Sequence, residues 1–277
     1  MSEQVTWNEQ MTEEWLEITG RWVSYEATEA NPAGLTAFYE ELVGWLDEIG
    51  FELEFHTDPA APYRPVIVAK RAPVDCDAWI GFFHHYDVEP IHEVWKSDPW
   101  TLVQKGDRVF GRGIADNIGP FAQRLMLFEK IETKAGLLLV IQGEEEIGSP
   151  WAHELFERLE LPDVSLWIDE TGYFYKNGDH RILVVGEDPL IDSIVESISR
   201  VNDAEGRSSK VRKRFLTKAF GLENCPCIAH LLRDKPYLAI GPNDDTTKVH
   251  GPDESMDLGL LGPSSDHLIA VLQEVGS

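Results

Sequence analysis

A histidine pair, two aspartates and three consecutive glutamates fall in three short blocks of this chain: HHYDVEP at 84–90, GRGIADN at 111–117 and QGEEEIGS at 142–149. Imidazole and carboxylate donors of this kind suit a hard or borderline divalent cation. A spare carboxylate beside such a cation suits a general base, and the combination makes a nucleophilic hydroxide at neutral pH.

The elements that must position these blocks are legible from hydrophobic spacing. Residues 8–25 carry Trp15, Leu16, Ile18, Trp22 and Val23 on one helical face. Over 32–49, Leu35, Phe38, Tyr39, Leu42, Val43, Leu46 and Ile49 repeat at helical spacing, with Gly50 placed to end the helix. Residues 51–56 alternate as a strand, and 66–70 and 78–83 read as buried strands, the second running straight into His84-His85-Tyr86-Asp87. Further along, 121–132 reads as a helix, 137–141 as an apolar strand leading to Glu144–Glu146, 151–159 as a helix, and 165–168 as a strand leading to Asp169-Glu170. Then come a strand at 181–185, an amphipathic helix at 190–201, a polar loop over 203–214 leading into a helix, strands at 227–232 and 237–240, and a closing helix at 267–275.

This alternation predicts an α/β fold, a three-layer α/β/α sandwich with a mostly parallel sheet. Ligands bind beyond the carboxyl ends of strands in such sheets. Acidic and histidine clusters fall there three times over, which points to a site rather than scattered surface charge.

The 277 residues fit one large domain, and 43% hydrophobic content supports a real core. With 49 acidic against 24 basic residues the formal charge is −25, a surface that repels nucleic acid and anionic membranes. Three cysteines, Cys76, Cys225 and Cys227, are too few for a disulfide framework and fit a reducing cytoplasm. Cys225-Pro-Cys227 has no second cysteine pair to complete a metal site. The acidic N-terminus lacks the apolar core of a signal peptide, and no apolar run is long enough to span a membrane.

HYDVEP, then Trp95, Asp98-Pro99-Trp100, GRGIADN and GEEEIGS, resembles the M20 family of metallopeptidases, and most of all its carnosinase and dipeptidase-V branch. The resemblance covers residues 80–172 closely and GPNDDTTKVHGPDES near the C-terminus acceptably. It implies a zinc-exopeptidase-like α/β domain with two divalent metal ions, zinc foremost and manganese or cobalt as alternatives. Position by position, it implies metal ligands at His85, Asp116, Glu146, Asp169 and His250, with Asp116 bridging. Asp87 would support His85 from behind, and Glu145 would be the general base. His84 would face the other way along its strand as a packed neighbour. His92, His153 and His267 read as surface histidines, Glu144 as a supporting or solvated charge, and Asp98-Pro99-Trp100 as structural, with its Trp able to wall the pocket.

The chain departs from the family in two places. Members carry an inserted lid domain that supplies a dimer interface, an oxyanion-stabilising His and groups that hold the substrate carboxylate. Here residues 187–240 leave no room for it, so 1–277 reads as a single catalytic domain without the lid, a monomer or a dimer of different geometry. Lys210, Arg212, Lys213 and Arg214 form a dense basic patch that either replaces the carboxylate clamp or pairs with surface acids. Ile118 stands where the family usually has Lys. The expected function is metal-dependent hydrolysis of an amide bond in a small substrate, a dipeptide or an N-acyl amino acid. A deacylase or desuccinylase is one alternative, and a metal-binding interaction or regulatory protein without turnover is the other.

Overall fold

The computed structural model describes residues 5–213 and 228–276. Helices α1 (Glu9–Ser24) and α2 (Pro32–Glu48) open the chain. Each starts at an asparagine whose side chain accepts a backbone N–H of the first turn, Asn8 from Met11 and Asn31 from Gly34. Then follow β1 (Glu52–His56), β2 (Val66–Arg71), β3 (Trp79–His85), β4 (Val103–Lys105), β5 (Arg108–Phe110), α3 (Gly119–Lys130), β6 (Gly136–Gln142), α4 (Ala152–Phe156), β7 (Leu166–Ile168), β8 (Tyr173–Phe174) and β9 (His180–Val185). The last part holds α5 (Pro189–Ala204), β10 (Ser209–Lys213), α6 (Ala229–Leu232), β11 (Tyr237–Ala239), β12 (Asn243–Asp244), β13 (Ser255–Asp257) and α7 (Leu261–Val275).

The main sheet has the order β1-β2-β6-β3-β7-β11-β9-β8-β12, with β10 added on β9. Its centre, β6-β3-β7-β11, is parallel, and antiparallel pairings flank it. Successive side chains of a strand point to opposite faces, and β6 shows both faces covered. Leu137, Leu139 and Ile141 pack with helices α1, α2, α3, α5 and α7, while Leu138 and Val140 pack with α4 and α6. That is the three-layer arrangement expected from the alternation of elements. A second, small sheet, β13-β5-β4, carries the segments on either side of GRGIADN and VHGPDES. Among the described residues no helix is long and apolar enough to cross a membrane.

Two expectations about local structure are overturned. The loop expected over 203–214 is not seen in its described part: α5 runs to Ala204 and Ser209–Lys213 is a strand pairing in parallel with His180–Val184, while the helix expected to follow lies outside the described residues. An edge strand tolerates lysine and arginine because much of it faces water, so its polarity resembles that of a loop. Residues 229–232 form a helical turn rather than a strand. Leu231 and Leu232 are buried against α4, and a short apolar run does not distinguish the two states. Arg214, Cys225 and Cys227 lie outside the described residues.

Candidate metal centre

β3 delivers two adjacent histidines to opposite faces. His84 is fully buried and stacks on Phe121, with ring centroids 4.1 Å apart. Arg124 donates to its Nε2 (3.1 Å), so Nδ1 carries the proton and donates to Asn117 Oδ1 at 2.9 Å. Burial and the Arg124 charge hold His84 neutral, its pKa well below the ordinary value. His84 is therefore the packed neighbour expected. It fixes Asn117, whose Nδ2 in turn donates to the His85 carbonyl at 2.9 Å.

His85 faces the acidic cluster. Its Nδ1 donates to the backbone oxygen of Asp87 (2.9 Å) and lies 3.4 Å from Asp87 Oδ1. Nε2 is left facing Asp116 Oδ1 at 3.4 Å. The same Asp87 carboxylate accepts the backbone N–H of Glu145 at 3.1 Å and of Glu146 at 2.9 Å. One buried aspartate thus sets both the imidazole tautomer and the turn that carries two glutamates. Gly143, at the end of β6, is required for this approach: a Cβ there would strike the ring of Tyr86.

Asp116 sits in the tight turn Ile114–Ile118 that leads into α3, and its peptide bond to Asn117 is cis. A second buried carboxylate organises this turn. Glu254 accepts from Arg112 Nη1 (2.7 Å) and from the backbone N–H groups of Gly113 (3.2 Å), Ala115 (2.9 Å) and Asp116 (3.2 Å). Arg112 also donates to the carbonyl of His250 (3.2 Å) and lies over the ring of Trp95. His250 holds a left-handed backbone, φ 61°, which costs a non-glycine residue energy unless its surroundings impose it. Its Nε2 lies 3.3 Å from Asp116 Oδ2 and 3.0 Å from Glu146 Oε2.

The carboxylate that joins His85 and Asp116 is Glu170, not Asp169. Asp169 continues the face of Trp167 past the end of β7, and Trp167 packs in the same core as Tyr237. There the Asp169 carboxylate accepts the Tyr237 hydroxyl. Glu170, one residue on, turns back toward the cluster. Donor atoms of His85, Asp116 and Glu170 lie within 4.8 Å of one another, as do those of Glu89, Glu146 and His250. Sequence reasoning missed Glu89, Glu170, Glu254 and Arg112 as parts of the site. The adjacent acids Asp169-Glu170 were the available signal for one of them.

The electrostatics show how crowded the charges are. Burial lifts Glu145 to about 7 and Glu146 to about 8, with Asp116 adding to both. Burial and the neighbouring Asp169 push Glu170 well above the ordinary carboxylate range. Burial also opposes the ionised form of Asp116, but hydrogen bonds from His250 and His85 hold its carboxyl below its ordinary value. Hydrogen bonds to Asp116 and Glu146 raise His250 to about 11. His85 is raised well above its ordinary value by Asp116 and Asp87, against the opposing effect of its burial. Glu146 Oε1 and Glu170 Oε2 are buried with no hydrogen-bond partner. A cluster in which carboxylates need protons or imidazolium neighbours, and in which two buried oxygens have no donor, fits divalent cations.

The other residues singled out from sequence fall outside this cluster. Glu144 is buried rather than solvated, accepting from the N–H groups of Trp151 and Ala152 and facing Arg64 at 3.3 Å. His92 is exposed and His153 partly so, but His267 is no surface histidine: it is fully buried, stacked on His180 at 4.0 Å. Its helix begins earlier than the hydrophobic pattern indicated, which carries it into the core. Asp98 closes its own turn by accepting from Trp100 N and Thr101 Oγ1, and Trp100 packs on the main core. Ile118 is buried in that core. Lys210 and Lys213 pair with Asp179 (3.5 Å) and Glu187 (2.8 Å), and Arg212 contacts the Tyr175 hydroxyl.

The fold and the donor set define an α/β protein with candidate metal-binding groups at the carboxyl end of its parallel strands. The chain belongs to peptidase family M20/M25/M40, which residues 81–274 match, and this family is metal-dependent. It is 33% identical over 120 residues to a cysteinylglycine-S-conjugate dipeptidase of Corynebacterium striatum, covering 40% of this chain and 26% of that protein. It is 37% identical over 139 residues to a succinyl-diaminopimelate desuccinylase of Gluconobacter oxydans, covering 44% of this chain and 34% of that protein. The matched segments thus span about a quarter to a third of these curated relatives. In fold it is similar to human carnosine dipeptidase 1, with a TM-score of 0.73 at 12% identity, covering 97% of this chain and 98% of the other.

Proposed function

We propose that this chain hydrolyses the amide bond of a small substrate, a dipeptide or an N-acyl amino acid, at a centre for two divalent cations. His85, Asp116 and Glu170 would hold one. Glu146, His250 and Asp116 would hold the other, with Glu89 in reach. The observation that carries this reading is Asp116, whose two oxygens face different imidazoles, Oδ1 toward His85 and Oδ2 toward His250. That is the geometry of a carboxylate shared between two sites. Zinc suits these donors, and manganese or cobalt would be accepted by the same set.

Cations bound there would supply electrophilic polarisation of the scissile carbonyl and acidify water. The chain's own residues do the rest. Glu145, fixed through its backbone by Asp87, is partly buried beside the cluster, with a carboxylate that titrates at about 7. In this reading it takes a proton from the attacking water and returns it to the leaving nitrogen. Asp87 holds the His85 Nδ1 proton, so that Nε2 offers its lone pair. A protein that merely binds metal has no use for Glu145.

The similarity to a desuccinylase favours N-acyl amino acids as a second substrate class beside dipeptides. The test is a panel of dipeptides and N-acyl amino acids with zinc- or manganese-loaded protein, repeated with Glu145→Gln. Turnover that drops by about 100-fold or more in the variant supports the mechanism. Unchanged turnover removes it, and no turnover on any substrate favours a binding or regulatory role.

A further inference from the structure

We infer that Arg64 is a positioning residue: through Glu144 it holds the turn on which Glu145 and Glu146 ride. The inference deepens the amide-hydrolase reading and rests on it for the roles of those two glutamates. The hold itself is read from hydrogen bonds and burial.

Between β6 and α4 the chain leaves the sheet, exposes Ile147 and Gly148, and returns. On the way out, the Asp87 carboxylate accepts the backbone N–H groups of Glu145 and Glu146. On the way back, Glu144 Oε1 accepts those of Trp151 at 2.8 Å and Ala152 at 2.6 Å, where α4 begins. The Glu144 carbonyl also accepts the N–H of Ser149 at 2.8 Å. Glu144 therefore closes the base of the turn, one peptide before Glu145, and any shift of its backbone carries Glu145 with it.

This clamp depends on a cation. The Glu144 side chain is 2% exposed, and a buried carboxylate is costly without a counter-charge. Arg64 Nη2 supplies it, 3.3 Å from Oε2, from a side chain that is itself 8% exposed. Arg64 lies between β1 and β2, far from the turn in sequence, and is fixed there from two directions. Its Nη1 pairs with Glu29 Oε2 at 2.7 Å. The next residue, Pro65, accepts the Tyr86 hydroxyl at 2.8 Å, and the Tyr86 ring is the one pressed against Gly143 at the foot of the turn. The segment of Glu29 supports the other clamp as well, because the carbonyl of Ala27 accepts the N–H of Val88, next to Asp87, at 2.9 Å. Without Arg64, Glu144 is a buried and uncompensated charge. It draws in water or swings outward, and its hold on Trp151 and Ala152 is lost.

The experiment compares wild type, Arg64→Lys and Arg64→Met on Ala-Ala, at a temperature where melting curves show all three folded. Displacing the turn lowers kcat about 10- to 100-fold in Arg64→Met and leaves KM within about twofold. Arg64→Lys keeps a cation beside Glu144 and recovers part of that loss. A merely structural ion pair lowers the melting temperature and leaves kcat of the folded variant unchanged, which overturns the proposal. So does a loss of kcat that Arg64→Lys does not reduce. Where wild type shows no turnover, a second arm decides: zinc affinities of wild type and Arg64→Met by competition with a chromogenic chelator. A fall of about 10- to 100-fold at one site, that of Glu146, with the other unchanged supports the positioning role, and the hydrolase reading alone fails. Unchanged affinities there, or no zinc binding, sink the proposal.

Discussion

Arg112 and Glu254 form a buried ion pair, 2.7 Å apart, directly behind Asp116 and His250. The pair ties two segments far apart in sequence to one another, because Glu254 holds the backbone of the Asp116 turn and Arg112 holds the carbonyl of His250. Glu254→Gln leaves Arg112 buried without its counter-charge. Breaking one side of such a pair costs about 3–5 kcal/mol. Urea unfolding of the variant is expected to show that loss in free energy with an unchanged m-value. A loss below about 1 kcal/mol would mean that the pair does not organise these segments.

Asp87 touches no substrate in the proposed mechanism, yet its carboxylate lies 3.4 Å from His85 Nδ1 and accepts the backbone N–H groups of Glu145 and Glu146. Asp87→Asn preserves the shape but can turn an amide N–H₂ toward the two backbone N–H groups. Metal affinity, measured by competition with a chromogenic chelator, is expected to fall by about 10- to 100-fold. An unchanged affinity would show that the histidine orients itself without this carboxylate.

Much of this arrangement was legible in the sequence, for a physical reason. The apolar runs at 78–83 and 137–141 are strands buried on both faces, so the polar residues that follow them had to lie at the sheet's carboxyl edge. Asp169 and Glu170 were not separable, because which one turns toward the metal centre depends on Tyr237, a residue of β11 that waits on the other side of the sheet. Lys210 to Lys213 read as a loop because an edge strand and a loop both carry solvated charge. The anchoring role of Glu254 was invisible, because its partners are backbone N–H groups of a turn more than a hundred residues earlier.

His180 and His267 form a buried stack, with Asn202 bridging His180 Nδ1 and His267 Nε2 and with Phe174 alongside. Burial lowers both, His180 to about 3, and the Arg207 charge adds to this. The unfolded chain takes up protons on these histidines below about 6.5, while the folded chain cannot until far lower pH. Their contribution to stability is therefore intact above pH 6.5 and is lost as pH falls toward 3. From pH 7 to pH 5, each histidine costs about 2 kcal/mol by this linkage. Unfolding free energies of wild type and His267→Phe at the two pH values are expected to show a drop smaller by that amount in the variant. Equal drops would mean that His267 is protonated in the folded protein.

Metal binding and pH are coupled at the same centre, and the sign follows from the donors. In the metal-free protein Glu146 is protonated below about 8, His250 below about 11, and His85 is raised in the same direction. Ligation requires the deprotonated forms, so binding releases protons and the apparent affinity rises with pH, about tenfold per unit for each proton released. Calorimetry with zinc at pH 6 and pH 7 in buffers of different ionisation enthalpy counts those protons directly. Glu146→Gln is expected to release one proton fewer and to lose affinity. Glu89→Gln tests the neighbouring carboxylate and is expected to weaken the site that contains His250 while leaving the one that contains His85 unchanged. An affinity that is flat with pH would mean that the cation binds somewhere other than among these carboxylates and imidazoles.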